Sequence, residues 1–272
     1  MVDKWRFIIS NYAEGSWNMA VDEALLSEVS SRSSPPTIRV YGWEPPCLSL
    51  GVAQPISDID LDSLQQNGWS IVRRQTGGRA ILHTDELTYS IMAPKDHPLV
   101  QGSILDSYKR LSKGLLQTLK LLGVDAMAQK QYSTITPANK GAVCFEVPSN
   151  YELTISGKKL IGSAQARKYE GVLQHGSIPL FGDISRIVDV LNYANEILRE
   201  EAKIRVLSRA ATIESVSGKL FVFEEAAQLF KKAFQTEFNL DFFDGTLSDN
   251  ENILATDLQQ SKYASKTWTE RL

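Results

Sequence analysis

The chain's 272 residues suffice for one large domain, or one with a small appendage, and a hydrophobic content of 43% is ample for a packed core. Lys and Arg total 29 against 32 Asp and Glu, so the net charge of −3 gives no global reason to expect nucleic acid or an anionic membrane as partner. No apolar run approaches the roughly 18 residues that span a bilayer, and the charged start Met1-Val2-Asp3-Lys4-Trp5-Arg6 is not a signal peptide, so the expected compartment is the cytosol.

Trp5 to Ser10 reads as a strand. Asn18 is placed to cap a helix running to about Ser30, with Val21, Leu25 and Val29 on one stripe. After the break at Ser33-Ser34-Pro35-Pro36, strands are expected over Thr37–Tyr41, Cys47–Val52, Trp69–Arg74 and Leu87–Ala93. Ser103 and Asp106 have capping-box spacing ahead of a stripe of Ile104, Tyr108, Leu111, Leu115, Leu119 and Leu122, and Gly123 suits the C-terminal cap. Gln129–Gly141 reads as a loop. Tyr151–Ile155, a Ser156-Gly157 turn and Lys159–Arg167 form a predicted hairpin, followed by a strand over Val172–Phe181. Helices are expected over the apolar positions 184–198 and 226–234, and about 245–272 reads as a C-terminal helix and tail. The class is α+β, with sheets covered by helices in one domain spanning 1–272.

Two cysteines, Cys47 and Cys144, make no disulfide framework in a chain of this size. Cys47 sits in the strand-like Cys47-Leu48-Ser49-Leu50 and is assigned to packing. Most lone cysteines are small buried hydrophobes, but Cys144 follows a polar loop, precedes Pro148, and has Lys159 downstream as a cation able to favour a thiolate. Fifteen positions separate the two, and the hairpin alone does not join them. Lys159 shares a strand face with Ile161, Ser163 and Gln165, whereas Lys158 belongs to the turn. Gly162-Ser163-Ala164 would admit either a ligand or a tightly packed neighbouring backbone. Arg73-Arg74-Gln75-Thr76-Gly77-Gly78-Arg79 offers guanidinium donors and glycine backbone, the parts of an anion or carbonyl site, or of a plain turn; it is not a Walker loop. The three histidines, His83 and His175 among them, have no metal-ligand spacing.

With these residues the chain resembles the lipoate/biotin protein ligase and octanoyltransferase superfamily, and within it the LipM-type octanoyltransferases. The likeness runs nearly end to end, through Asn18-Met19-Ala20-Val21-Asp22-Glu23, the Arg73–Ala80 loop with His83, the cysteine segment, Gly162–Arg167 and Gln174-His175-Gly176-Ser177-Ile178. It implies the catalytic-domain fold of biotin and lipoate ligases, acting as a monomer. It also implies octanoyl transfer from octanoyl-acyl carrier protein to a lysine of a lipoyl-type domain, the glycine-cleavage H protein, with no metal or nucleotide. The family nucleophile falls on Cys144 and its activating lysine on Lys159. The acyl pocket falls on Arg74, Thr76, Gly77, Gly78, Arg79, His83, Gly162, Ser163 and Ala164. An acidic carrier would suit a basic pair such as Arg167-Lys168. Three alternatives stand beside this: an ATP-dependent lipoate–protein ligase, an amidotransferase moving octanoyl between lipoyl domains, and a non-catalytic scaffold that binds the same partners.

Overall fold

The computed structural model describes residues 3–129 and 152–272. The chain opens with β1 (Asp3–Ile9), α1 (Gly15–Ser30), β2 (Thr37–Tyr41) and β3 (Cys47–Leu50). A short helix α2 (Leu61–Gln66), capped by the Asp60 carboxylate, leads to β4 (Ser70–Arg73), β5 (Ile81–His83) and β6 (Glu86–Pro94). Then come α3 (Ile104–Leu121) and β7 (Met127–Gln129), and past the undescribed segment β8 (Glu152–Ile155), β9 (Lys158–Lys159), β10 (Gly162–Lys168) and β11 (Gly171–Pro179). The rest is mainly helical: α4 (Glu196–Arg209), α5 (Ile213–Ser217), α6 (Phe223–Phe238), the strand β12 (Leu240–Asp244), α7 (Asp249–Leu258) and α8 (Lys266–Thr269).

A mixed six-stranded sheet has the order β10-β11-β6-β2-β1-β12. Its β10, β11, β6 and β2 pair antiparallel in turn, while β1 runs parallel to both β2 and β12. Period-2 alternation sorts its side chains. Phe7, Val40, Tyr89 and Ile91 face α3 and α6, packing on Leu111, Leu115, Phe230 and Phe234. Ile8, Met92 and Leu173 face α1, against Val21, Leu25 and Val29. With both faces covered, β2, β6 and β11 are buried along their whole length. Two three-stranded sheets, β4-β3-β5 and β7-β8-β9, flank it.

Several expectations hold. The α3 capping box is present on both sides, and the helix stops at Gly123, φ 79°, with Val124 N–H donating to Leu119 O. Ser156 and Gly157 both take positive φ, as a tight two-residue hairpin turn requires.

Others change. Asn18 does not cap α1, which starts at Gly15; it lies in the first turn and donates to Gly42 O, and its carbonyl accepts from Arg39. The short amide that suits a cap serves here to tie α1 to β2. The strand expected over Lys159–Arg167 is divided. It leaves the small sheet after Lys159, buries Leu160 and Ile161, and joins the large sheet at Gly162. The helix expected over 184–198 is a tight 3-10 segment, Ile184–Val190, followed by α4, which begins only after its own cap at Asn195. Leu191 instead bridges to Ile59. Strands β5, β7 and β12 were not expected.

The C-terminal residues are stitched to the sheet side of the molecule. Glu23 on α1 accepts from Lys262, Tyr263 and Tyr169, and Arg73 of β4 donates to Thr269 O at 2.7 and 3.0 Å. Among the described residues no helix is long and apolar enough to cross a membrane.

Candidate active site

The α1-facing side of the large sheet is apolar at one end and polar at the other. Asp22, projecting from α1, accepts from Arg39 Nη1 at 2.9 Å, Tyr41 Oη at 2.9 Å and Ser90 Oγ at 2.9 Å. Burial alone would raise the Asp22 carboxyl, but His175, Arg39 and Tyr41 together outweigh it and hold the group below the ordinary carboxylate range. His175 reaches Asp22 Oδ2 with Nδ1 at 3.4 Å. A carboxylate only accepts, so Nδ1 carries the proton and Nε2 accepts from Thr76 Oγ1 at 2.6 Å. Burial pushes the His175 imidazole below its usual value, more than Asp22 pulls it up.

A second relay stands beside it. His83 Nδ1 donates to Glu86 at 2.6 Å, and its Nε2 accepts from Ser49 Oγ at 2.8 Å. Trp43 stacks on the His83 ring at 4.0 Å between centroids, and its indole N–H donates to Thr88, which bonds Glu86 in turn. These links hold β3, β5 and β6 in fixed relation.

Between the two relays lies a narrow pocket. Met19, Tyr41, Trp43 and Ile81 give it apolar wall, and Gly162-Ser163-Ala164 faces His175-Gly176-Ser177 across the β10–β11 ladder. Six of the expected pocket residues line it: Arg74, Gly78, His83, Gly162, Ser163 and Ala164. The Ser163 hydroxyl is engaged with Tyr89 Oη at 2.7 Å. Thr76 stands behind His175 rather than on the wall. Arg74 shapes the loop, donating to the carbonyls of Ser49, Gly77 and Arg79. Arg79 turns outward to Asp58, 3.9 Å away.

Glycine is demanded at Gly176 on the wall and is optional at Gly77, which lies off it. A methyl built on Gly176 would sit 2.5 Å from Gly162 O and 2.8 Å from the Tyr89 ring. Built on Gly77 it would meet nothing within 4 Å, and only the adjacent Gly78, φ 94°, takes a positive φ. Gly176→Ala is therefore expected to cost about 1–3 kcal/mol by prying β10 from β11. Gly77→Ala should stay within about 0.5 kcal/mol of the wild type, yet lose transfer activity if substrate passes over that exposed backbone. Thermal unfolding beside a transfer assay checks both.

Lys159 lies one strand earlier, buried, with Nζ 3.0 Å from Glu152 Oε1. Cys144, the expected nucleophile, lies outside the described residues, as does most of the expected loop at 129–141. Cys47 is fully buried, and burial pushes its thiol up to about 12, which fits the packing role expected of it. Arg167 and Lys168 are both exposed at the end of β10. Successive strand residues face opposite ways, and Arg167 donates to the carbonyls of Val100 and Gly102.

Sequence reasoning missed Glu152 as the partner of Lys159, although the signal was there. A two-residue turn at 156–157 puts Thr154 opposite Lys159, and Glu152 is then the diagonal neighbour on the same face. Asp22, Arg39 and Ser90 gave no local signal, because they meet only when three elements pack. Among the described residues no cluster of His, Cys, Asp and Glu is arranged to hold a metal.

The sequence model described as the lipoyl protein ligase A/B catalytic domain matches residues 14–235. The chain is 38% identical to the octanoyltransferase LipM of Geobacillus kaustophilus over 97% of each chain. To the octanoyltransferase LipM of Bacillus subtilis it is also 38% identical, over 98% of each. Among solved structures, a bipartite lipoate protein ligase from Thermoplasma acidophilum superposes with a TM-score of 0.80 at 22% identity, covering 98% of this chain and 96% of that one, a likeness of fold. The chain belongs to the lipoyl protein ligase A/B catalytic-domain family, in its octanoyltransferase branch.

Proposed function

We propose that the chain, as one catalytic domain, takes the octanoyl group from octanoyl-acyl carrier protein onto Cys144 as a thioester and passes it to a lysine of a lipoyl-domain protein, the glycine-cleavage H protein. The observation that carries this reading is the apolar pocket walled by Gly162–Ala164, on the chain that leads straight on from the buried Lys159. The carrier thioester already stores the activation, so loading exchanges one thioester for another and calls for no nucleotide. The Lys159 ammonium favours the Cys144 thiolate, and backbone N–H groups of the glycine-rich segments stabilise the oxyanion. The octanoyl tail fills the pocket. Each buried methylene contributes about 0.8 kcal/mol, roughly fourfold in affinity, so shorter chains are disfavoured stepwise.

The test is an intact mass of the pure protein after incubation with octanoyl-acyl carrier protein, without ATP, beside Cys144→Ala. An octanoyl adduct on the wild type alone is the expected result. No adduct, with lipoate transfer once ATP is supplied, would make the chain a ligase and Cys144 a packing residue.

A further inference from the structure

Donor and acceptor bring opposite charges to the pocket. An acyl carrier protein is acidic and presents its thioester on an arm with an anionic phosphodiester, whereas an acceptor lysine arrives as an ammonium near neutral pH. A cationic rim attracts the first and repels the second. Among the wall residues Gly78 is exposed and Ser163 and Ala164 are half-buried, while Met19, Tyr41 and Trp43 are buried, so the pocket opens between the glycine loop and β10. A cluster of cations is tied to both sides of that opening. Lys168 ends β10, about 13 Å along the strand from Ala164. Arg271 donates to Val52 O, and Val52 N–H donates to Thr76 O at the root of the exposed Gly77-Gly78. Lys262 and Arg271 both lie on the Trp268 ring, 4.5 and 3.9 Å from its centroid. Lys262 donates to Glu23, and Lys168 Nζ stands 3.9 Å from the same carboxylate. Burial holds Lys262 below the usual lysine value, and Lys168 and Arg271 push the same way against the pull of Glu23, as neighbouring like charges do.

We propose that Lys168, Lys262 and Arg271 form the docking surface for the acyl carrier protein, which they receive by its acidic face and phosphodiester arm. This rests on the carrier as donor in the reading above. Three cations share one carboxylate, Glu23, which is 3% exposed, so the cluster shows net positive charge to solvent. The Lys168 side chain is 40% exposed, and Arg271 is exposed too. Two nearby carboxylates are engaged elsewhere: Glu170 pairs with Lys95, and Glu270 lines a separate cleft with Glu14 and Pro45. Of the expected pair Arg167-Lys168 this face takes only Lys168, since Arg167 turns its guanidinium to Val100 O and Gly102 O. Exposed charges of this kind act on encounter and on its salt dependence, so the effect belongs in the KM for the carrier rather than in kcat.

Two donors test the surface. Lys168→Glu, Arg271→Glu and the double variant are compared with the wild type in forming the adduct from octanoyl-acyl carrier protein and from octanoyl-pantetheine, which has neither protein nor phosphate. Binding of the unacylated holo-carrier protein, followed by fluorescence anisotropy, reads docking without turnover. In the double variant the KM for the carrier donor and the Kd for the holo-carrier should each rise about tenfold or more, and their dependence on salt should flatten. Loading from octanoyl-pantetheine should match the wild type, as should transfer from the loaded enzyme to H protein. Unchanged KM and Kd for the carrier would overturn the proposal. So would an equal loss with octanoyl-pantetheine, which marks a structural role, or a slowed second step alone, which gives the surface to the acceptor. Lys168→Glu, at an exposed strand end, serves if Arg271→Glu does not fold. Absence of an adduct on the wild type from either donor would instead remove the thioester reading, while the binding measurement would still decide the surface.

Discussion

Lys159→Met is expected to lose both stability and activity, and adding Glu152→Gln should return only the first. The two side chains are 6% and 5% exposed, and their charges lie 3.0 Å apart. Removing the ammonium leaves a buried carboxylate stripped of that partner, a change that typically costs 3–5 kcal/mol against a total stability of about 5–15 kcal/mol. Replacing both charges removes the desolvation penalty along with the attraction, and such pairs are often neutral or better when exchanged for uncharged groups. The double variant should therefore melt near the wild type. Octanoyl-adduct formation should remain down by roughly 10²–10⁴-fold in both, the range expected for a lost catalytic proton or charge partner. Glu152→Gln alone takes that counter-charge from the buried Lys159 and should carry its own stability loss. Denaturant unfolding of the four proteins beside adduct formation reads both quantities. Recovery of activity in the double variant would show that Lys159 serves only to neutralise Glu152.

The site was legible in the sequence where the signal was local. The capping box at Ser103 and Asp106 and the Ser156-Gly157 turn depend on residues within a few positions of one another and formed as expected, and the α3 stripe is buried from Leu111 to Leu122, although its first member, Ile104, is exposed. The divided strand after Lys159 was not legible, because the residues on either side of Leu160 and Ile161 all suit a strand. Only the packing of those two side chains, both fully buried, shows where one sheet ends and the next begins. Strand β12 escaped for a related reason. It pairs in parallel with β1 some 240 positions away, as Leu240 does with Asp3, and nothing next to it announces the partner. The pocket wall combined both cases. Gly162–Ala164 and the glycine loop were expected at the site, but the Asp22–His175–Thr76 relay joins α1, β11 and the loop after β4, and it exists only in the packed chain.

Asp22→Asn should be among the most destabilising single changes, and its pH dependence should reveal why. Arg39 is 1% exposed and donates to Asp22 Oδ1; with the carboxylate gone its guanidinium stays buried without that counter-charge, at a cost of about 3–5 kcal/mol. In the wild type Asp22 and His175 each add a step to an acid limb that Glu23, Glu251 and His97, also held below their ordinary values, shape as well. Burial holds His175 below its ordinary 6.5, so the unfolded chain takes up that proton first, and stability should begin to fall as the pH drops below that value. Asp22 is held below 3.8 by His175, Arg39 and Tyr41 despite its burial. Its contribution is complete well above 3.8 and is lost as the pH falls through its lower, folded value. In Asp22→Asn the second loss should vanish, since no carboxyl remains. The first should persist or steepen, because the attraction that opposed burial at His175 has gone. His175→Gln should do the reverse, flattening the profile just below 6.5 while the carboxylate limb survives. Denaturant midpoints taken from pH 7 downward would show this exchange. A profile of unchanged shape in both variants would mean that neither group changes its protonation between the folded and unfolded chains.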